Sequence, residues 1–318
     1  MALSLSVVIP SHNRPDLLRA CLATVTRHAP TGTDILVVDD ASPDGAATTV
    51  TRQFAGTRVV LPTGRGFCAA ANAGVRAARG LIVQLLNDDT EVIAGWAAAA
   101  MRPFQDPSVA AVAPLVLSWP GAGPREPRID SAGDRYYVGG VAGKRGHGDV
   151  LRPEYLSPRQ IFGSSASSAF YRRDVLLRIG GFPEGFGAYF EDVDVAFRLH
   201  RAGYKVIYEP AARVLHRGAA SHGRAGRRLL EQQSRNEERV FWRNLPGPVL
   251  CRALPRHLAV LAGKAWLRWQ EGTLAPFLCG RLRLLAEVGD IMRHRRRLRQ
   301  VGPCPRLADW RIDVLPWG

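Results

Sequence analysis

The stretch from Leu81 to Leu86, followed by Asn87-Asp88-Asp89, constrains the fold of this chain more than any other. The run is apolar except for Gln84 and too short to span a membrane. It predicts a strand buried on both faces, as in the interior of a parallel sheet. The acidic turn then falls at the C-terminal end of that strand, where open α/β sheets bind their ligands. Adjacent carboxylates repel each other unless a cation lies beside them. A divalent ion held by one or two carboxylates and a substrate phosphate supplies such a charge. The plainer reading is a turn before the helix expected near Trp96.

The residues before this stretch repeat the pattern. Leu3–Ile9 reads as a first strand, closed by Pro10 and the polar turn Ser11-His12-Asn13. Arg14–His28 has helical spacing, with Leu17, Leu18, Cys21, Leu22 and Val25 on one face. Asp34–Val38 is a second strand, ending in Asp39-Asp40, and Arg58–Leu61 is a third. Gly64-Arg65-Gly66 opens a small-residue helix that runs to Ala78. Strands alternating with helices at these lengths predict βαβ units. Asp39, Asp40, Asp88 and Asp89 then share one rim of the sheet. Arg65 either reaches a phosphate there or is a solvated loop arginine.

After a strand at Val109–Leu117, residues 118–160 are rich in glycine, proline and charge and read as an irregular excursion. A helix is expected over Asp174–Ile179. The loop Phe182–Phe190 is glycine-rich and aromatic, and it leads into a helix opened by Glu191, Asp192 and Asp194. Acidic residues suit a helix N-terminus, which accounts for one or two of the three. Lys205–Tyr208 and Val214-Leu215 read as two strands. His216, after the second, is a candidate third metal ligand.

In this order, five segments resemble the family-2 glycosyltransferases, and within them bacterial rhamnosyltransferase-type enzymes. They are Ser6–Arg14, Val37–Gly45, Gly66–Gly74, Leu86–Glu91 and Phe190–Asp194, the last continuing through Arg201–Tyr204. The resemblance covers about Leu3 to Asn244. It implies an α/β GT-A fold, Rossmann-like, with a mostly parallel sheet binding a nucleoside-diphosphate sugar, a dTDP- or UDP-sugar. It assigns Asp89 and His216 to a divalent ion, Mg²⁺ or Mn²⁺, and Asp88 to the ribose or sugar. Asp40 reads the nucleobase, with Pro10, Ser11 and Asn13 nearby, and Arg14, Arg65, Gly66 and Asn72 complete the donor site. Asp192 is the implied catalytic base, with Glu191 and Asp194 as alternatives, Asp194 being the one expected to hydrogen-bond backbone or a loop arginine. Lewis-acid assistance to a diphosphate leaving group and a base on the opposite face give one in-line, inverting displacement. The acceptor is a hydroxyl of a glycan, a lipid-linked glycan or another small molecule.

The net charge of +15 on 318 residues calls for an anionic partner. Much of it lies late. Between Pro246 and Gln300 there are eleven basic residues and three acidic ones. Leu254, Leu258, Leu261, Trp266 and Trp269 recur there at helical spacing. We therefore expect a catalytic domain over residues 1–244 and a basic amphipathic helical extension over 245–318. Such helices suit an anionic membrane surface; packing on the catalytic domain, or a homodimer interface, is the alternative. No nucleic-acid motif is present. From five scattered cysteines without a Cys-x-x-Cys pair, and no signal-peptide pattern, we expect the chain in the cytoplasm, and from its basic helices we expect it peripheral on the inner face of the membrane. A nucleotidyltransferase and an inactive membrane-bound scaffold are the rival readings.

Overall fold

The computed structural model describes residues 3–119, 126–218, 226–300 and 307–316. The sequence predicts a further helix from Arg224 to Trp242; Arg224 and Cys304 lie outside the described residues, as does part of the excursion at 118–160.

The strands are β1 (Leu5–Ser11), β2 (Asp34–Asp39), β3 (Thr57–Val60), β4 (Ile82–Leu86), β5 (Thr90–Val92), β6 (Val109–Ser118), β7 (Ile129–Ser131), β8 (Asp134–Tyr137), β9 (Val141–Lys144), β10 (Arg159–Ile161), β11 (Ser168–Arg172) and β12 (Lys205–His216). The helices are α1 (Pro15–His28), α2 (Ala46–Thr51), α3 (Phe67–Ala77), α4 (Trp96–Met101), α5 (Arg173–Arg178), α6 (Glu191–Arg201), α7 (Arg227–Asn244), α8 (Gly247–Gln270), α9 (Leu274–Arg283) and α10 (Val288–Gln300).

One sheet carries the order β10-β12-β6-β11-β4-β1-β2-β3. The expected parallel pairing holds across β4-β1-β2-β3 and again between β12 and β6. Between these blocks β11 runs antiparallel to both β4 and β6, so the sheet is mixed. Strand side chains alternate between faces. Val8, Leu36, Val38, Val83 and Leu85 enter the core under α3. Val7, Ile9, Ile35, Val37, Ile82 and Leu86 enter the core with α1 and Trp96. The one polar residue of β4, Gln84, is satisfied inside: its Oε1 accepts from Trp96 Nε1 (3.0 Å) and its Nε2 donates to Ser168 Oγ (3.1 Å). The small residues of α3 let it sit close to the sheet; a Cβ on Gly74 would stand 2.2 Å from Val8 Cγ1.

Two expectations change. The excursion after β6 is not irregular throughout: it contains β7, which pairs with the end of β6, and the β8–β9 hairpin. The two strands expected at 205–215 are one strand, β12, interrupted by a bulge. Pairing with β6 passes from Glu209 opposite Pro114 to Arg213 opposite Leu115. Pro210 lacks the N–H a ladder needs, which accounts for the break, but the chain resumes on the same partner. β12 therefore ends with His216 paired to Thr90 of β5, directly after the acidic turn.

The C-terminal helices are not free-standing. Several basic residues are engaged by acids of α7: Lys264 with Glu237, Arg281 with Glu237 and Glu238, and Arg283 with Glu231. Residues 307–316 return to the hairpin, where Arg135 Nε pairs with Asp313 (3.0 Å). Among the described residues no helix is long and apolar enough to cross a membrane.

Candidate active site

β1, β4, β7 and β12 converge at one rim, and β4 delivers Asp88 and Asp89 there. Asp88 Oδ2 accepts from Ser11 Oγ (2.8 Å) and its Oδ1 from Arg14 Nη1 (3.3 Å), while Arg14 lies 3.7 Å from Asp89 Oδ2. Arg14 at the start of α1 thus supplies part of the positive charge that adjacent carboxylates require. Burial raises Asp88 to about 6, against the lowering pull of Arg14 and Ser11. Burial alone would raise Asp89 as well, but His216 and Arg14 reverse this and hold it below the usual range.

His216 stands between two carboxylates. Its Nε2 lies 3.2 Å from Asp89 Oδ1 and its Nδ1 3.1 Å from Asp130 Oδ2. Lys144 Nζ donates to the same Asp130 oxygen (2.9 Å). Burial would lower the imidazole, yet the two carboxylates hold it at about 9. The contact with Asp130 is a directed hydrogen bond, whereas Asp89 Oδ1 is buried without a hydrogen-bond partner. Once the proton on Nε2 is lost, a buried carboxylate oxygen and an imidazole nitrogen at this distance are a donor pair suited to Mn²⁺ or Mg²⁺. Asp130 on the other ring nitrogen fixes the ring's orientation, as carboxylates behind metal-binding histidines do. No group of three or more His, Cys, Asp or Glu placed to hold a metal is found among the described residues.

Asp40 and Asp39 divide their work. Asp39 is buried and clamps its own turn, accepting from Ser42 N, Thr48 N and Thr48 Oγ1. Asp40, at the rim, accepts from Gly66 N (3.0 and 3.1 Å to its two oxygens), joining the β2 turn to the start of α3. Gly66 has φ +92, which glycine adopts without strain. Asn13, also left-handed at φ 52, is exposed, as is Arg65; Pro10 is buried in β1. Asn72 corrects an expectation. Its Nδ2 donates to Phe182 O (2.8 Å) and Glu184 Oε1 (3.0 Å), and its Oδ1 accepts from Phe182 N (2.8 Å). Both ends of the amide are engaged inside the protein, so Asn72 anchors the Phe182 loop instead of facing a donor.

That loop sets the start of α6. Tyr189 and Phe190 are both left-handed, at φ 69 and 66, a costly conformation for aromatic residues. Asn236 of α7 holds them there, donating from Nδ2 to the carbonyls of Phe186, Ala188 and Tyr189. The three acids that follow separate by environment. Asp194 is fully buried against Arg198 Nε (2.8 Å), Arg243 Nε (3.0 Å) and Asn244 Nδ2 (2.8 Å), a structural ion cluster built on helix arginines. Glu191 is buried, with Oε2 lacking a partner, and burial and the Asp192 charge raise it strongly. Asp192 is partly exposed, accepting from Ala166 N (2.9 Å) and Val193 N (2.8 Å). Burial raises it, while those N–H groups and Lys144 restrain the rise. A further carboxylate, Asp134 of β8, is buried close enough to Asp192 to be raised by it, after burial itself. Asp130, Asp134 and Lys144 were not legible as site residues: they lie in the excursion, at no motif spacing from Asp89 or Asp192.

The profile of Glycosyl transferase family 2 matches residues 6–180, and the chain belongs to that family. A Sinorhizobium fredii relative, the uncharacterized protein y4gI, is 32% identical over 234 residues, covering 69% of this chain and 25% of that protein. The chain thus spans about a quarter of that relative's length. The N-acetylglucosaminyl-diphospho-decaprenol L-rhamnosyltransferase of Mycobacterium tuberculosis is 28% identical over 240 residues, covering 69% of this chain and 78% of that enzyme. Among solved structures, the mannosyltransferase PcManGT of Pyrobaculum calidifontis, in complex with GDP-Man and Mn²⁺, superposes with a TM-score of 0.57 at 20% identity, over 90% of this chain and 88% of its own. GalNAc-T7 with UDP, GalNAc and Mn²⁺ gives 0.58 at 18% identity, over 76% and 50%. The fold is that of the GT-A glycosyltransferases, with added C-terminal helices.

Proposed function

We propose that the chain is an inverting, metal-dependent sugar transferase acting from a nucleoside-diphosphate sugar onto an acceptor hydroxyl. The observation that carries this reading is the buried pair of Asp89 Oδ1 and His216 Nε2, 3.2 Å apart without hydrogen-bond geometry, on the C-terminal rim of the sheet. A divalent ion held by these two groups, when bound, neutralises the donor diphosphate and makes it a competent leaving group. Arg14, beside Asp88, adds a fixed positive charge to the same rim. In this reading Asp40 and Gly66, joined on the same rim, hold the nucleoside. Asp192 takes the proton of the acceptor hydroxyl as its oxygen bonds to the anomeric carbon; the bond from that carbon to the diphosphate breaks, and the electron pair leaves with the phosphate. Attack opposite the leaving group inverts the anomeric centre. The Mycobacterium tuberculosis relative supports rhamnose as the sugar and a lipid-linked glycan as the acceptor.

Calorimetry with UDP and dTDP, with and without Mn²⁺, tests this. Binding should require the ion and be lost in Asp89→Ala; undiminished Mn²⁺-dependent binding in that variant rejects the site. A product retaining the donor's configuration, by NMR, rejects the mechanism.

A second face bears on the acceptor. Leu258, Trp266 and Trp269 of α8, with Leu278 and Leu282 of α9, are exposed. Arg252 and Arg256 flank the α8 stripe and have no carboxylate partner among the described residues. An apolar stripe bordered by unpaired cations is complementary to an anionic lipid surface. Flotation with anionic and neutral liposomes decides: Trp266→Ser/Trp269→Ser should lose binding to anionic vesicles, and equal recovery with both lipids rejects the assignment.

A further inference from the structure

A large charged cavity lies outside the donor rim, with a volume of about 880 Å³. Its walls come from the β8–β9 hairpin, β10 and residues 308–313. Arg145, Arg159 and Arg311 all line it. Arg145 is held rigidly: its Nη1 and Nη2 donate to the carbonyls of Ala132 (3.4 Å) and Glu154 (3.1 Å). Its guanidinium lies 4.7 Å from the Tyr155 ring and 5.3 Å from the Tyr208 ring. Arg311 donates to Gln160 Oε1 (3.4 Å), from a left-handed backbone at φ 56. Among the described residues none of the three arginines pairs with a carboxylate.

Of the other cations of the cavity, two are already paired, and the carboxylates Asp134, Asp149 and Glu154 also line it. Arg135 is engaged by Asp313, and Lys144 by Asp130. Asp149 accepts from the Tyr155 hydroxyl, and Glu154 is exposed to solvent. Burial, then the like charge of Arg159, disfavours protonated Arg145. Guanidinium groups that share a cavity and bond no carboxylate directly repel each other, and an anion among them converts that cost into charge-assisted hydrogen bonds.

The cavity also adjoins the chemistry. Asp134, which feels the Asp192 charge, lines it, and so does Lys144, which holds the Asp130 behind His216. We propose that Arg145, Arg159 and Arg311 form an acceptor-side anion site, which receives a phosphate or diphosphate carried by the acceptor and so presents its hydroxyl to Asp192. The proposal rests on the transferase reading above and names the class of acceptor.

The test uses the full chain saturated with UDP and Mn²⁺, so that the donor's diphosphate site is filled. Inorganic pyrophosphate and farnesyl diphosphate are then titrated by calorimetry. Both should bind, and Arg159→Ala/Arg311→Ala, at two exposed positions, should weaken them by about 10²–10⁴-fold, the loss expected for two charged hydrogen-bond donors. UDP binding should be unchanged in that variant. Unaltered pyrophosphate and farnesyl diphosphate affinity in the double variant overturns the site. Farnesyl diphosphate binding more tightly than pyrophosphate supports a diphosphate borne on a lipid acceptor. Pyrophosphate alone binding shows a free-anion site and overturns the acceptor assignment. Failure of UDP to bind defeats the transferase reading separately, because the double variant still reports on the arginines.

Discussion

Asp194→Asn should cost about 3 kcal/mol of folding stability, while Asp174→Asn should cost almost none. Both carboxylates face an arginine four residues on in a helix, at nearly the same distance: 2.8 Å from Asp194 to Arg198 and 2.7 Å from Asp174 to Arg178. Burial separates them. The side chains of Asp194 and Arg198 are 0% and 7% exposed, those of Asp174 and Arg178 67% and 62%. In water, screening and side-chain entropy leave an exposed pair about 0.3–0.5 kcal/mol. Inside, a neutral amide in place of the Asp194 carboxylate would leave Arg198 and Arg243 together without a counter-charge, and removing one partner of a buried pair costs about 3–5 kcal/mol. The low end applies because the amide keeps an acceptor oxygen and Arg198 still donates to the carbonyls of Ile179 and Gly181, both at 2.6 Å. Urea denaturation at pH 7 and pH 5 is the assay. Burial alone would raise Asp194, but Arg243 and Arg198 hold it well below the usual carboxylate range. Its contribution is therefore complete above the unfolded value near 3.9 and is lost only as the pH falls through the lower folded value. The difference from wild type should be the same at both pH values. A loss below about 1 kcal/mol, or one that halves by pH 5, refutes the reasoning.

Asp192→Asn should lower kcat by ~10²–10⁴-fold and leave UDP affinity unchanged. Because burial raises Asp192, the wild-type rate should climb with pH as that carboxyl ionises, and the variant's pH–rate profile should lack this climb. Asp130→Asn should weaken Mn²⁺ affinity by about 10–100-fold in the presence of UDP, read by calorimetry, because His216 loses its orienting carboxylate. Gly80→Ala would place a Cβ 2.6 Å from Ser6 N and 2.7 Å from Leu5 C, which are backbone atoms. Overpacking of this kind costs about 1–3 kcal/mol, and a thermal scan should show a lowered Tm.

The fold was legible wherever a local pattern decides it. Apolar runs ending in Asp39-Asp40 and Asn87-Asp88-Asp89 gave strands with a common rim, and Glu191–Arg201 was visible as a helix from its acidic start and basic end. The antiparallel entry of β11 was not, because a short buried run looks the same in either direction. Of the three acids of α6, Asp194 was set apart in the sequence as an arginine- or backbone-bonded residue, but its partners, helix arginines instead of a loop arginine, were not legible. Asp192, Glu191 and Asp194 are chemically alike in sequence, and they differ only in what α7 and the Ala166 turn bring to them. Asp130 and Asp134 belong to an excursion without periodicity, so their approach to His216 and Asp192 is a property of the tertiary fold alone. Asn72 misled for a related reason: its place in a recognisable segment said nothing of the Phe182 loop that consumes its amide.

The bulge in β12 makes that strand a ruler between two sites. Tyr208, under Arg145 in the anion cavity, precedes it, and His216, at the donor rim, follows it. Because strand side chains alternate between faces, deleting one residue from Pro210–Ala212 without restoring the register would turn His216 away from Asp89, while Tyr208 stayed in place. A one-residue change in the length of this segment therefore disables the donor rim and leaves the cavity around Arg145 in place. Among variants of this chain, substitutions in the bulge should be tolerated far more readily than changes in its length.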